Sequence, residues 1–296
     1  MFSLNWIGNS TAQNINYVNE AFAGTLNYNP GGGGGSDNTP PCGLCVMNPT
    51  ANQALEVSGS GTINLTSGDI DVNSNAAEAF YAAGASHVTA NAINVFGGEY
   101  IGGSASITPS ATLGVAATPN PFADLPAPVV STIQTGGDLT SGSSTVTLQP
   151  GVYSDLEIGG SNQVTLAPGI YVVTGAWELG GAATLTATNG VMIYFTCSGY
   201  STTDTEPCNG TAGANFSTSN SGTFNIAGPT SGTYQNISLF ADPGNTTPIK
   251  IEGAATDTLT GNVYAYDSAL TVTGSGAACT LNAAFVVSKV AVGGSG

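Results

Sequence analysis

TLQPGVYSDLEIGGSNQVTLAPGIYVV, residues 147–173, states one phrase twice. A Val-Thr-Leu run leads to a Pro-Gly corner and then to an apolar-Tyr pair. The two copies lie 18 residues apart, matching Val146 to Val164, Leu148 to Leu166, Pro150 to Pro168 and Tyr153 to Tyr171. A looser step follows: LEIGG at 156–160 returns as WELGG at 177–181, and GIYVV is echoed by GVMIYF at 190–195. A period near 20 with uneven spacing is the mark of stacked coils joined by loops of unequal length. A short strand cannot bury an apolar face alone, whereas coils stacked about 4.8 Å apart give each strand two parallel neighbours and a shared interior. The expected fold is therefore all-β, a single-stranded parallel β-helix (β-solenoid). It should wind right-handed, the default for parallel crossovers, with on the order of a dozen coils. An antiparallel sandwich is the competing architecture. It needs no repeated wording, and the Asn-Gly hairpin signal occurs only at 189–190 and 209–210.

Outward from this stretch the same texture of short Val, Ile, Leu and Thr runs ended by Gly, Asn or Ser extends from Cys42 to the C-terminal end. Residues 36–296 read as the solenoid domain. Within it, the Pro-rich stretch 102–138 loses the alternation and reads as an excursion that leaves the stack, crosses its outside and rejoins before Val146. Residues 1–35 read as an apolar arm followed by a flexible hinge, Gly31 to Gly35. Phe2, Leu4, Trp6, Ile7, Tyr17, Val18, Phe22 and Leu26 make the arm too apolar to stay free in water. It should either cap an open coil of its own stack or pack on a neighbouring subunit by strand addition; the second is the expectation.

Charge removes several function classes. Only 7% of the 296 residues are charged, against about 25% in an average domain, and the net charge is −16. Lys250 and Lys289 are the only cationic side chains. Phosphate backbones would be repelled, so nucleic acid is not an expected partner. No basic face or apolar run of 18 residues suits a membrane, and direct insertion is not expected. The opening FSLNWIGNS has neither the charged nor the apolar region of a secretory signal. The reading is that export information was removed or that Met1 is not the native start. Scarce Lys and Arg leave few tryptic sites, and five cysteines permit two disulfides, so the expected location is extracellular or the cell surface. The bridges are read as Cys42 with Cys45, or each with an outside partner, and Cys197 with Cys208. Asn9, Asn64, Asn209, Asn215, Asn236 and Asn245 head Asn-x-Ser/Thr triplets and are candidate glycosylation acceptors.

No active site emerges. His87 is the sole histidine, so any Ser-His or Cys-His device would have to use it. Asp155 with Glu157, or Asp69 with Asp71, could satisfy the carboxyl separation of a glycosidase, but solvated carboxylates alternate along strands in the same way. Asp69, Asp71 and Asn73 offer alternate oxygen ligands faintly like a Ca²⁺ loop, without its Gly and distal Glu. Cys42-Gly-Leu-Cys45 lacks the second pair that would complete a zinc ribbon.

The order CGLCVMNPTANQALEVSGSGTINLTSGDIDVNSNAAEAF, NPFADLPAP, LQPGVYSDLEIGGSNQVTLAPGIYVV, LTGNVYAYDSALTVTGSG resembles the exported domain of bacterial TadG-like (TadE/TadG-like) Flp pilus-assembly proteins over about residues 40–292. The resemblance implies a cell-surface β-helix of pilus or filament systems and brings no catalytic residues with it. The chain departs from those proteins at the N-terminus, where they carry a membrane-spanning helix. A second likeness, in LTGNVYAYDSALTVTG, is to bacterial ice-binding β-solenoids. The expected function is a non-enzymatic structural or adhesive subunit that assembles with itself into a filament or pilus-associated polymer. The alternative is a surface-binding module for carbohydrate or ice, which regular Thr-x-Thr ladders at matched positions would favour. TVTL, TLTAT and LTVTG occur, but without constant spacing.

Overall fold

In the computed structural model the described residues are 2–5, 24–27, 38–219, 222–252, 257–273 and 280–294. They form a parallel β-solenoid in which every strand pair is parallel. An eleven-stranded sheet makes one face, here face I, and an eighteen-stranded sheet turns a corner to supply faces II and III. One turn runs Thr145–Leu148 on face I, Gly151–Tyr153 on face II and Leu156–Ile158 on face III; the next begins at Gln163.

The repeated phrase is one such turn, with a refinement. On face I partners are 18 residues apart, as in Val146 with Val164. On face II Gly151 meets Tyr171, and on face III Leu156 meets Trp177, so the offset grows by three residues within a single circuit. Pro-Gly makes the corner between faces I and II. Tyr153 and Tyr171 turn inward there, ring centroids 5.9 Å apart. The Tyr153 hydroxyl donates to the Gln149 carbonyl at 2.6 Å, and that of Tyr171 reaches the carbonyls of Leu148 and Ala167 at 2.8 and 2.9 Å. Tyrosine recurs because its hydroxyl supplies a donor to the corner carbonyls of Gln149 and Ala167, a buried carbonyl costing about 1–3 kcal/mol if left bare.

The corner between faces III and I rests on glycine. Gly59, Gly84 and Gly103 in one half, and Gly142, Gly160 and Gly181 in the other, all have positive φ. The next rung lies directly on them: a Cβ on Gly84 would fall 2.6 Å from the Gly59 carbonyl oxygen, and one on Gly160 2.5 Å from that of Gly142. Those carbonyls accept the N–H of Ala85 and Ser161 at 2.7 and 2.8 Å. Each glycine stands three residues before the face I strand residue that opens the next turn: Thr62, His87, Ser106, Thr145, Gln163 and Thr184.

The path of the chain is not a simple spiral from end to end. Phe2–Asn5 and Gly24–Asn27 pair in the middle of face I, beside Thr280–Asn282 and Thr62–Asn64. From Leu44 the chain winds outward to one end of the stack at Thr112–Leu113. It then crosses to the far end at Asp138 and winds back until Phe285–Gly294 pairs with Leu44–Val46 and Leu55–Gly59. The excursion is shorter than expected: Ser106–Thr108 and Thr112–Leu113 still belong to the stack, Ile133 already bridges to Val152 on face II, and only residues 116–131 leave it.

That excursion is a strap over face II. The runs VMIYF at 191–195 and ISLFA at 237–241 are buried at every position, because their outward side chains meet the strap as their inward ones meet the core. Phe122 packs edge-on to Tyr264 at 5.1 Å. The Tyr200 hydroxyl accepts from the Val130 N–H at 2.7 Å and donates to the Pro128 carbonyl at 2.8 Å, while Tyr234 donates to Pro126 at 3.1 Å. Cys197–Cys208 closes the loop that carries Tyr200, and Cys42–Cys45 lies in the same outer apolar layer. Both bridges are the expected ones, with Cys42 and Cys45 joined to each other; Cys279 lies outside the described residues.

Candidate surface-binding face

With face II covered, faces I and III are left to solvent. On face I the strand registers align one position through all eleven rungs, Thr147, Thr165, Thr186, Asn225, Thr258, Thr280, Ser3, Thr25, Asn64, Thr89 and Thr108, and Thr147, Thr165, Thr186, Asn225, Thr258, Asn64, Thr89 and Thr108 point outward there. Every member is Thr, Ser or Asn. A second column flanks it at both ends, with Thr145, Gln163, Thr184 and Thr223 in one half and Thr62, His87 and Ser106 in the other. Strand geometry sets the lattice at about 4.8 Å between rungs and about 6.6 Å along a strand. The inward partners of these residues, among them Val164, Leu185, Phe224, Ile63 and Val88, are buried and hold the rows in place.

Two of the Thr-x-Thr phrases that lack constant spacing in sequence, TVTL and TLTAT, thus do fall at matched positions, whereas LTVTG lies on face III. Thr145, Gln163, Thr184 and Thr223 follow one another at steps of 18, 21 and 39 residues, yet each faces the next. The long step is absorbed by the disulfide loop between 195 and 215, off face I. Hydroxyls and amides interact along the columns: Thr258 Oγ1 donates to Asn225 Oδ1 at 2.6 Å, and Thr223 Oγ1 to Thr184 Oγ1 at 3.3 Å. None of the eleven strands contains Asp, Glu, Lys or Arg, in a chain with 18 carboxylates.

The residues weighed for chemistry are placed elsewhere or otherwise employed. His87 sits on face I with Nδ1 2.7 Å from Ser106 Oγ; both are exposed, and no strand of that face supplies a carboxylate to orient the ring. Asp71 accepts from Asn94 Nδ2 at 2.9 Å and Thr118 Oγ1 at 2.5 Å, and Asn73 exchanges two hydrogen bonds of 2.8 Å with the Thr118 backbone. These oxygens fasten the start of the strap. Burial, and then the Asp71 charge, push the Asp69 carboxyl up. Among the described residues no His, Cys, Asp or Glu group is arranged to hold a metal. Asp155 accepts the Ala176 N–H at 2.8 Å, while Glu157 points out on face III beside Glu178, so the Asp155–Glu157 pair does not share a cleft.

Asn209 is exposed, and Asn64, Asn215 and Asn236 are half-buried. Asn245 is a correction to the glycosylation reading: it is buried, its Nδ2 donates to the carbonyls of Phe195 and Ala214, and its Oδ1 accepts from Gly213 and Thr247, which leaves no amide for a glycan. Asn9 lies outside the described residues, as do Trp6, Ile7, Tyr17, Val18 and Phe22 of the arm. The strands that carry Phe2, Leu4 and Leu26 pair within the chain's own face I. This is a third placement beside the two weighed from sequence, a capped end or a neighbouring subunit.

Another buried group lies beside the disulfide loop. Asp242 accepts from Thr196 Oγ1 at 2.5 Å, while its second oxygen has no hydrogen-bond partner. Desolvation raises its pKa to about 6.

No family of known proteins, no curated protein and no solved structure matches the chain. Among the described residues no helix is long and apolar enough to cross a membrane.

Proposed function

We propose that this is an extracellular surface-binding solenoid that docks face I on ordered water, the surface of ice. The eleven-rung column of Thr, Ser and Asn carries this reading. Short side chains that pair a methyl or methylene with a hydroxyl or amide, repeated on one lattice, can order a layer of water without competing through charge. Carboxylates, plentiful elsewhere, would hold water in disordered shells and are absent from these strands. Crystalline carbohydrate is the less favoured ligand for face I, because sugar rings are bound largely by aromatic stacking and the outward positions hold no aromatic ring other than the His87 imidazole. Two disulfides in one small chain agree with an oxidising location. Cell-surface adhesion through face I is compatible with this reading. A pilus-like polymer would need a separate self-contact.

The test is ice shaping and recrystallisation in the presence of the purified chain. Wild type should be taken up by growing ice, and Thr165→Tyr, which plants a large ring in the middle of the column, should lose most of that uptake while retaining its melting temperature. Exclusion of wild type from ice would overturn the reading. Retention on crystalline cellulose or chitin instead would transfer face I to carbohydrate.

A further inference from the structure

Face III concentrates charge where face I has none. Its central outward column runs Asp138, Glu157, Glu178, Ser217, Lys250, Thr271 and Ala291 on seven successive rungs, and continues beyond them through Glu56, Tyr81 and Tyr100. Lys289 lies on the last of these rungs, two residues to the side of Ala291. Both cations of the whole chain are therefore on this one face, exposed, and among the described residues neither has a carboxylate within ion-pair distance. Within these seven rungs the column's acids, Asp138, Glu157 and Glu178, precede Ser217 and both lysines follow it; Glu252 stands two residues from Lys250 on its strand and Glu56 one rung past Ala291.

Over the seven rungs from Asp138 to Ala291 the order is self-complementary about Ser217. A two-fold axis through that rung, parallel to the strands, turns rung one onto rung seven and rung three onto rung five. Glu178 of one copy then faces Lys250 of the other, and Asp138 shares a rung with Lys289, offset by the length of a two-residue step that a lysine side chain can span. Each contact occurs twice, as an isologous interface requires. A shallow groove of about 440 Å³ flanks the axis, walled by Glu157, Glu178, Ser217 and Glu252 and floored by the corner glycines 159, 160, 180 and 181. It offers space for the incoming Lys250. The seven overlapping rungs span roughly 34 Å.

We propose that face III is a homodimer interface in which two copies pack antiparallel, with Lys250 of each seated against Glu178 of the other and Lys289 near Asp138. Isolated exposed ion pairs contribute little, so four pairs gathered about one axis give a reversible, salt-sensitive dimer. In a chain of net charge −16 the pairing also favours this register of face III over a parallel one, which sets Glu157 and Glu178 against their own copies. The inference is independent of what face I binds, since the two faces are distinct sides of the stack.

Sedimentation velocity of the full chain at low and high salt tests it. Wild type should dimerise at low salt and dissociate as salt is added. Lys250→Glu and Glu178→Lys should each weaken the dimer by at least about tenfold, since each replaces two attractions by two repulsions. The double variant Glu178→Lys/Lys250→Glu restores opposite charges across the axis and should recover the dimer, which also shows that the single variants fail at the contact and not in folding. A wild type that stays monomeric at low salt, a dimer indifferent to Lys250→Glu, or a double variant no better than the singles would each overturn the proposal.

Discussion

Replacing Gly160 by alanine should isolate the contact between rungs. Gly160 has φ +62°, and a Cβ placed there meets the Gly142 carbonyl oxygen at 2.5 Å and the Gly142 nitrogen at 2.9 Å. Left-handed backbone at a non-glycine residue costs about 1–2 kcal/mol. The obstacle is backbone, not the end of a flexible side chain, so the rung must shift, adding about 1–3 kcal/mol for overpacking. The expected loss is therefore about 2–5 kcal/mol. Gly142 supplies the control: it turns the same corner one rung nearer the end, with φ +92° and nothing within 4 Å of its Cβ position. Gly142→Ala should show the conformational cost alone. Urea titrations of both variants, followed by far-ultraviolet circular dichroism, give the difference directly. Equal destabilisation by the two substitutions would refute the claim that each rung is laid against the glycine of the one before.

Two further outcomes follow from the strap and from the buried carboxyl. Phe122→Ala removes the ring that the strap sets against Tyr264; it should cost about 3 kcal/mol, at the low end for a buried Phe because one side of the site is loop, and increase binding of a hydrophobic dye as face II opens. Unchanged dye binding would mean that the strap stays down without its anchor. Asp242, raised from 3.8 to about 6 by burial, stabilises the fold fully below pH 4 and loses that contribution as pH climbs through 6, at most about 3 kcal/mol. The stability difference between wild type and Asp242→Asn should change over that window and be flat above about pH 7. A difference independent of pH would show that the carboxyl is not held in its protonated form.

The stacked architecture was legible because the sequence repeats where the physics repeats. Pro-Gly with an inward Tyr marks one corner, and a glycine three residues before a Thr, Ser, His or Gln marks another; the second signal stands in the sequence at 59, 84, 103, 142, 160 and 181 but is easily lost among 42 glycines. The strap was visible as a Pro-rich break, though its first part is solenoid: Ser106–Thr108 is too short to show alternation and is held by pairing to His87–Thr89. The threonine face was hidden by loops. Register is fixed by hydrogen bonds between rungs, not by distance along the chain, so a disulfide loop that leaves face I untouched destroys the spacing a reader would count. The burial of face II on both sides could have been read from VMIYF and ISLFA, continuous apolar runs where a half-exposed strand would alternate. Asn245 carried no sequence sign of its burial, because its partners arrive from Phe195, Ala214 and Gly213, some 30 to 50 residues earlier.

A stack joined at its waist by strands far apart in sequence has consequences for how it is made. Leu44–Val46 and Leu55–Gly59 emerge from the ribosome early, yet the strand that pairs with their outer edge, Phe285–Gly294, is synthesised more than 200 residues later. Until then the nascent half offers an unpaired parallel edge, the kind of template that recruits foreign strands. Joining the two halves is a contact of extreme sequence separation, and closures of that kind are slow. Phe285–Gly294 is the strand that turns two open stacks into one.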